Sequence, residues 1–254
     1  MTTPLILLTN DDGIHAPGLA ALHSALEVLG RVVVFAPDRQ RSAVGHGVSL
    51  NHPLRSTEIR PGWHMVDGTP TDCVILALRG VLKEVPALVV SGINSGANLG
   101  DDVTYSGTVA GAFEGMLQGI PSFAMSVTSH YVQHFEGAQR MAQLTAEKLL
   151  AEGLPRDIML NINVPDLPLD KIEGIGVAAM GRRNYNDRMD MRRDPRGGLY
   201  YWIGGETPDM VVEAGTDFEV HGANKISVTP LMRDLTDYEM MKKMADFNGL
   251  GDRL

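Results

Sequence analysis

Two adjacent carboxylates close an apolar run in Leu7-Leu8-Thr9-Asn10-Asp11-Asp12-Gly13. On a continuing strand neighbouring side chains point to opposite faces, so Asp11 and Asp12 converge only where the chain already turns, which Gly13 permits. Converging carboxylates repel unless a cation lies between them, and an all-oxygen site of this kind suits a hard divalent ion such as Mg or Mn. An Asp-Asp-Gly run also serves as a solvated turn or a helix cap, and these residues alone leave both readings open.

Two further segments carry chemistry-bearing residues. Pro37-Asp38-Arg39-Gln40-Arg41-Ser42 follows an apolar run; Ser42 can offer an oxygen, and Arg39 or Arg41 can meet an anion or stand in solvent. Val89-Val90-Ser91-Gly92-Ile93-Asn94 runs into a glycine-rich loop, where the Asn94 amide oxygen can complete a metal shell without adding charge. The glycine spacing is neither that of a dinucleotide fingerprint nor that of a P-loop. Tyr105-Ser106-Gly107-Thr108 then leads into a helical pattern, putting free amides and two hydroxyls at a helix N-terminus that suits a phosphate. Plain capping by Ser106 and Thr108 is the competing role.

Other features point elsewhere or nowhere. His130 and His134 are spaced for zinc on a helix, but no His-Glu-x-x-His is present. Ser95 and Ser106 lack the nucleophile elbow of an α/β-hydrolase. Cys73 falls in a helical pattern that packs it. The arginines between Arg182 and Arg196 alternate with Asp187, Asp190 and Asp194, as in a solvated or subunit-contact loop.

These segments need elements to hold them, and the pattern supplies an α/β alternation. Apolar, β-branched runs at 5–9, 31–36, 87–91 and 122–127 read as buried strands. Residues 17–29, 108–118 and 135–152 read as helices, the first with Leu19, Leu22, Leu26 and Leu29 on one stripe. Thr69, Pro70 and Asp72 make an N-terminal signal for a helix through Cys73 to Arg79. The expected fold is a Rossmann-like, doubly wound, mostly parallel sheet in three layers. Beyond residue 155, strands at 159–164, 175–179, 199–203 and 226–229 separated by Gly, Pro and Asp suggest a hairpin or arm. The expectation is a single α/β domain over 1–254, with the site in about 1–155 and a C-terminal extension for oligomerisation in about 156–254.

With 254 residues, 44% hydrophobic and 21% charged, the chain has globular composition. Its 22 Lys and Arg against 31 Asp and Glu leave a net charge of −9, which gives no attraction for a nucleic-acid polymer or an anionic membrane. One cysteine makes no intrachain disulfide, and neither a signal-peptide pattern nor a run of roughly 18 apolar residues is present, so a cytoplasmic location is expected.

Taken together, LLTNDDG, APDRQRSAVGH, GTPTDC, SGINSGANLGDDVTYSGTVAGA and LNINVP, in this order, resemble the SurE family of metal-dependent nucleoside monophosphate phosphatases. The resemblance implies one divalent cation, Mg or Mn, on Asp11, Asp12, Ser42 and Asn94, with the paired Asp as the catalytic centre. It implies phosphate contacts around Ser106, Gly107 and Thr108. The implied activity is that of a 5'-nucleotidase acting on nucleoside monophosphates, with tolerance for 3'-nucleotides or polyphosphate, in a homodimer or homotetramer. A noncatalytic nucleotide or phosphometabolite sensor is the alternative. Such a sensor could lose the metal cluster and still bind, so the intact Asp11, Asp12, Ser42 and Asn94 favour the enzyme.

Overall fold

A computed structural model describes residues 3–184, 188–204, 209–244 and 247. In chain order, β1 (Leu5–Thr9), α1 (Pro17–Leu26) and β2 (Arg31–Pro37) form the first crossover unit. The hairpin of β3 (Ser56–Arg60) and β4 (Trp63–Val66) precedes α2 (Pro70–Leu76). Then β5 (Leu88–Ser95), α3 (Gly107–Leu117), β6 (Ser122–Val127), α4 (Glu136–Glu152) and β7 (Ile158–Val164) complete the helix-covered part. Beyond it lie β8 (Ile175–Val177), β9 (Arg182–Asn184), β10 (Arg188–Arg193), β11 (Leu199–Gly204), β12 (Asp209–Val211), α5 (Asp217–Gly222), β13 (Ile226–Met232) and α6 (Tyr238–Lys243).

Nine strands form one sheet in the order β3-β4-β2-β1-β5-β6-β7-β13-β8. From β4 to β7 every pairing is parallel; β3 and β13 run antiparallel to β4 and β7. The three layers follow from strand alternation. Ile6, Leu8, Val34 and Val90 point to the face where Leu19, Leu22 and Leu26 of α1 and Ala142 and Leu149 of α4 pack. Leu5, Leu7, Val33 and Val89 point the other way, against Cys73, Val74 and Ala77. On that second face α3 lays Val109, Ala112 and Met116 over Ala124 and Met159. Being buried on both faces, the central strands read as continuous apolar runs, which is why they stand out in the sequence.

Several boundaries differ from the sequence pattern. α1 ends at Leu26, three residues early, because Leu29 N donates to Leu26 O at 2.9 Å in a tight turn that lets the chain pass Pro4 and enter β2. α2 starts at Pro70 with a full capping box: Asp72 N donates to Thr69 Oγ1 at 3.1 Å and Thr69 N to Asp72 Oδ2 at 2.9 Å. The π-turn at Ala77–Val81 then continues the path to the expected end. The β3–β4 hairpin has no counterpart in the expected elements. Every residue of β3 is exposed, so an edge strand leaves no apolar signature.

The sheet does not stop near residue 155. β7, β13 and β8 extend it, and what stands apart is the arm, in which β10 pairs with β11 and β9 with β12. Of the charged run there, Asp187 lies outside the described residues. The β10–β11 hairpin exposes Met189, Met191, Tyr201, Trp202 and Ile203. Among the described residues no helix is long and apolar enough to cross a membrane.

Candidate active site

The carboxyl end of β1 lies mid-sheet between β2 and β5, so the loops following all three strands open onto one crevice, the usual ligand position in an open α/β sheet. The turn after β1 is held by Asn10, whose Nδ2 donates to Gly13 O at 3.0 Å. Gly13 has φ +99°, and a Cβ there would stand 3.1 Å from the Arg39 carbonyl carbon, so the turn both needs and uses glycine. Arg41 N donates to Asp11 O at 2.7 Å, which pins the loop after β2 to the paired carboxylates.

Asp11 and Asp12 sit in different surroundings. Asp11 is 4% exposed, and its Oδ1 accepts a hydrogen bond from Thr108 Oγ1 in the first turn of α3. Asp12 is half-buried, and its Oδ2 accepts from the Ser95 amide at 3.0 Å. Burial pushes Asp11 up to about 6, against the pull of the Thr108 hydroxyl and with a further push from the Asp12 charge. Burial also raises Asp12, opposed by the Ser95 amide and by His130.

What brings α3 so close to Asp11 is a glycine stripe. Gly107, Gly111 and Gly115 recur every four residues on one face of the helix. A Cβ on them would come within 2.9 Å of Asp11 Cβ, 2.7 Å of Thr9 Cγ2 and 2.7 Å of Val89 Cβ respectively. The helix thus lies directly on β1 and β5 with its N-terminus against the Asp11 carboxylate. Favourable partial charge from the helix end falls on that group.

The other expected ligands approach from the neighbouring loops. Asn94, at the end of β5, donates Nδ2 to Gly96 O at 2.8 Å, which leaves Oδ1 as the branch able to ligate. Ser42 is exposed and its Oγ accepts from Gln40 Nε2 at 3.0 Å. Arg39 and Arg41 both pair with Asp38, at 3.0 and 3.2 Å, and Arg41 also donates to Asp67 O at 3.3 Å, so a single carboxylate offsets part of their combined charge.

The residues expected at a phosphate are engaged within the fold. Ser106 is the N-cap of α3, its Oγ accepting from Val109 N at 3.0 Å. Thr108 is fully buried and turned to Asp11. Gly107 lies between them against the same carboxylate.

A divalent cation fits this donor set. Two carboxylates stand together, both with raised affinity for a proton, and among the described residues neither has a Lys or Arg partner. Also among the described residues, no group of three or more His, Cys, Asp or Glu is arranged to hold a metal. A cation here would therefore rest on two charged and several neutral oxygens, the shell that Mg and Mn accept and that zinc does not favour.

Comparison with known proteins decides the family. The model described as "Survival protein SurE" matches residues 6–187. The chain belongs to the SurE family. A SurE relative from Geobacter sulfurreducens, named a 5'-nucleotidase, is 52% identical over 92% of this chain and 89% of its own length. Another so named, from Heliobacterium modesticaldum, is 48% identical over 97% of this chain and 92% of its own. The crystal structure of the SurE protein from Aquifex aeolicus superposes with a TM-score of 0.84 at 43% identity, covering 97% of this chain and all of that one.

Within this SurE fold some supports were not anticipated from the sequence. His130 lies beside the site: a Cβ on Gly96 would be 3.1 Å from its Nδ1, and, after the Ser95 bonds, it opposes the rise that burial gives Asp12. It stands in a loop, not on a helix with His134. Asn98 is the centre of a buried knot, its backbone amide donating to Asn163 Oδ1 at 2.8 Å and its Nδ2 to Ser126 Oγ at 2.7 Å. Asn161 Nδ2 donates to Asn98 O at 2.7 Å. The signal was present as two asparagines at alternate positions of the otherwise apolar β7. Cys73 is buried, and burial pushes its thiol well up, which leaves it a packing residue.

Proposed function

We propose that this SurE-family chain is a metal-dependent 5'-nucleotidase that hydrolyses nucleoside 5'-monophosphates to nucleoside and phosphate. The observation that carries the reading is the contact of Asp11, chain neighbour of Asp12, with the first turn of α3, which sets a carboxylate pair beside a helix N-terminus. The names of the SurE relatives support the substrate class.

In this reading Asp11, Asp12, Ser42 and Asn94 hold one divalent ion, Mg or Mn. When bound, that ion supplies Lewis acidity toward the phosphoryl oxygens and a water of lowered pKa. The protein's part is to fix the ligands and the substrate. Thr108 orients Asp11, and the Ser95 amide orients Asp12. Amides of the first turn of α3, around Ser106, Gly107 and Thr108, face the phosphate, where negative charge shifts as water attacks phosphorus and the bond to the 5' oxygen breaks. Neutralising Asp11 frees the same helix end to act on that phosphate.

The finer reading extends to 3'-nucleotides or polyphosphate as secondary substrates, a cytoplasmic location and a homo-oligomer. The test is phosphate release from AMP and GMP after chelator treatment, with Mn or Mg restored. Turnover that returns only with metal supports the reading. Nucleotide binding without any metal-dependent release would make the chain a sensor instead.

A further inference from the structure

Asp217 joins the C-terminal arm to the loop in front of α3. It is fully buried at the start of α5, directly after the N-cap Thr216. Its Oδ2 accepts from the Gly100 amide and its Oδ1 from the Gly181 amide, each at 2.8 Å. Hydrogen bonds from backbone amides to a buried carboxylate are of the stronger, charge-assisted kind. Packing closes the same joint. Gly100 has φ +52°, and a Cβ there would lie 2.6 Å from the Phe218 ring and 2.7 Å from Gly181 O. At the root of the arm, Arg183 N donates to Asp101 Oδ2 at 2.8 Å and the Arg183 side chain lies 2.9 Å from Asp102 Oδ2.

Gly100 opens the 3-10 turn Gly100–Thr104, which runs through Tyr105 into the Ser106 cap of α3. The Asn98 knot fixes the loop upstream, and Tyr105 O receives the Gly45 amide at 3.0 Å downstream. Between those two anchors the turn is held from the C-terminal third of the chain, and the bond made by Asp217 is the buried member of that set.

We propose that Asp217 is a positioning residue for the nucleotidase reaction: through the Gly100 amide it sets where Ser106, Gly107 and Thr108 stand relative to Asp11. This rests on the reading of the first turn of α3 as the phosphate seat. Asp217 acts through the loop and not on the substrate. It also makes the root of the arm and the phosphate end of α3 one mechanical unit.

Asp217→Asn tests this, because the amide keeps the shape but offers one acceptor oxygen and turns an N–H group toward the second backbone donor. Losing one charge-assisted bond corresponds to about tenfold or more. The expected result is a rise of that order in KM for AMP, with hydrogen exchange at the amides of 100–108 accelerated and that of α4 unchanged. Leu149→Ala, a cavity variant in α4, serves as the control that lowers the melting temperature without moving KM. Arg183→Gln tests the same joint from its half-buried side, with the same direction of change, should Asp217→Asn fail to fold. Wild-type KM and wild-type exchange at 100–108 in the folded variant would overturn the proposal and leave Asp217 a stabilising residue alone. If the unmodified protein hydrolyses no nucleotide with any metal, the functional reading falls. The exchange measurement then decides Asp217: unchanged exchange at 100–108 refutes the joint, and accelerated exchange upholds it.

Discussion

The Thr108 hydroxyl donates to the Asp11 carboxylate from 97 residues away in the chain, so the first turn of α3 and the end of β1 form one polar unit. Ser106, two residues earlier, spends its hydroxyl on Val109 N. The two hydroxyls of the Ser-Gly-Thr segment therefore have different work, and substitution separates them.

Thr108→Val removes the bond to a buried carboxylate, whereas Ser106→Ala removes a helix cap. The first is expected to cost about 1.5 to 3 kcal/mol of Asp11 ionisation and metal binding, roughly 10- to 150-fold in the metal concentration that half-restores turnover. The second is expected to cost about 1 kcal/mol of stability with a smaller effect on metal. Titration of Mn into chelated protein, followed by AMP hydrolysis, reads the first; urea midpoints read the second. Equal metal dependence in Thr108→Val and wild type would show that the bond only packs the helix.

Asp12→Asn is expected to move activity and stability in opposite directions. The substitution relieves repulsion on Asp11 and removes a half-buried charge, so the metal-free protein melts higher. With Asp12 in the proposed ligand set, turnover is expected to be lost. A variant that keeps wild-type turnover with the same metal dependence would take Asp12 out of the ligand set.

Stability of the metal-free protein should fall as pH rises from about 4 to about 6. Asp11 titrates near 3.8 when unfolded and at about 6 when folded, so the folded state holds its proton longer. Below pH 3.8 both states are protonated and the contribution of Asp11 is neutral; between the two values only the unfolded state gains by ionising, and the loss is complete above pH 6. Two pK units correspond to about 3 kcal/mol as an upper bound. Urea midpoints across this window, in chelator, should show the slope, and it should flatten in Asp11→Asn and in saturating Mn. An unchanged slope in Asp11→Asn would assign it to other carboxylates.

The arm should be covered by a second copy of the chain. Trp202 and Ile203 are 62% and 79% exposed on a two-stranded hairpin, which is marginal in water without a partner surface. Light scattering at micromolar concentration should give a multiple of the chain mass, reduced by Trp202→Ser together with Ile203→Ser. A monomeric wild type would leave the hairpin without that role.

What the sequence determined by itself was local. Continuous apolar runs marked β1, β2, β5 and β6 because these strands are buried on both faces, and the Thr69-Pro70-Asp72 box marked α2 because its bonds span three residues. The placing of Asp11 and Asp12 at the end of a central strand followed from the same runs. Only the tertiary structure decided that Asp11 is buried and Asp12 half-buried, that Thr108 faces Asp11, that His130 stands beside Asp12, and that Asp217 holds Gly100. Each of those joins residues that the order of strands in the sheet brings together, and the close lie of α3 on β1 and β5 adds the last few ångströms. Hydrophobic periodicity reports which face of an element is buried, but a hydrogen bond between distant residues depends on which elements become neighbours and at what separation, and that is set by the packing of the whole sheet.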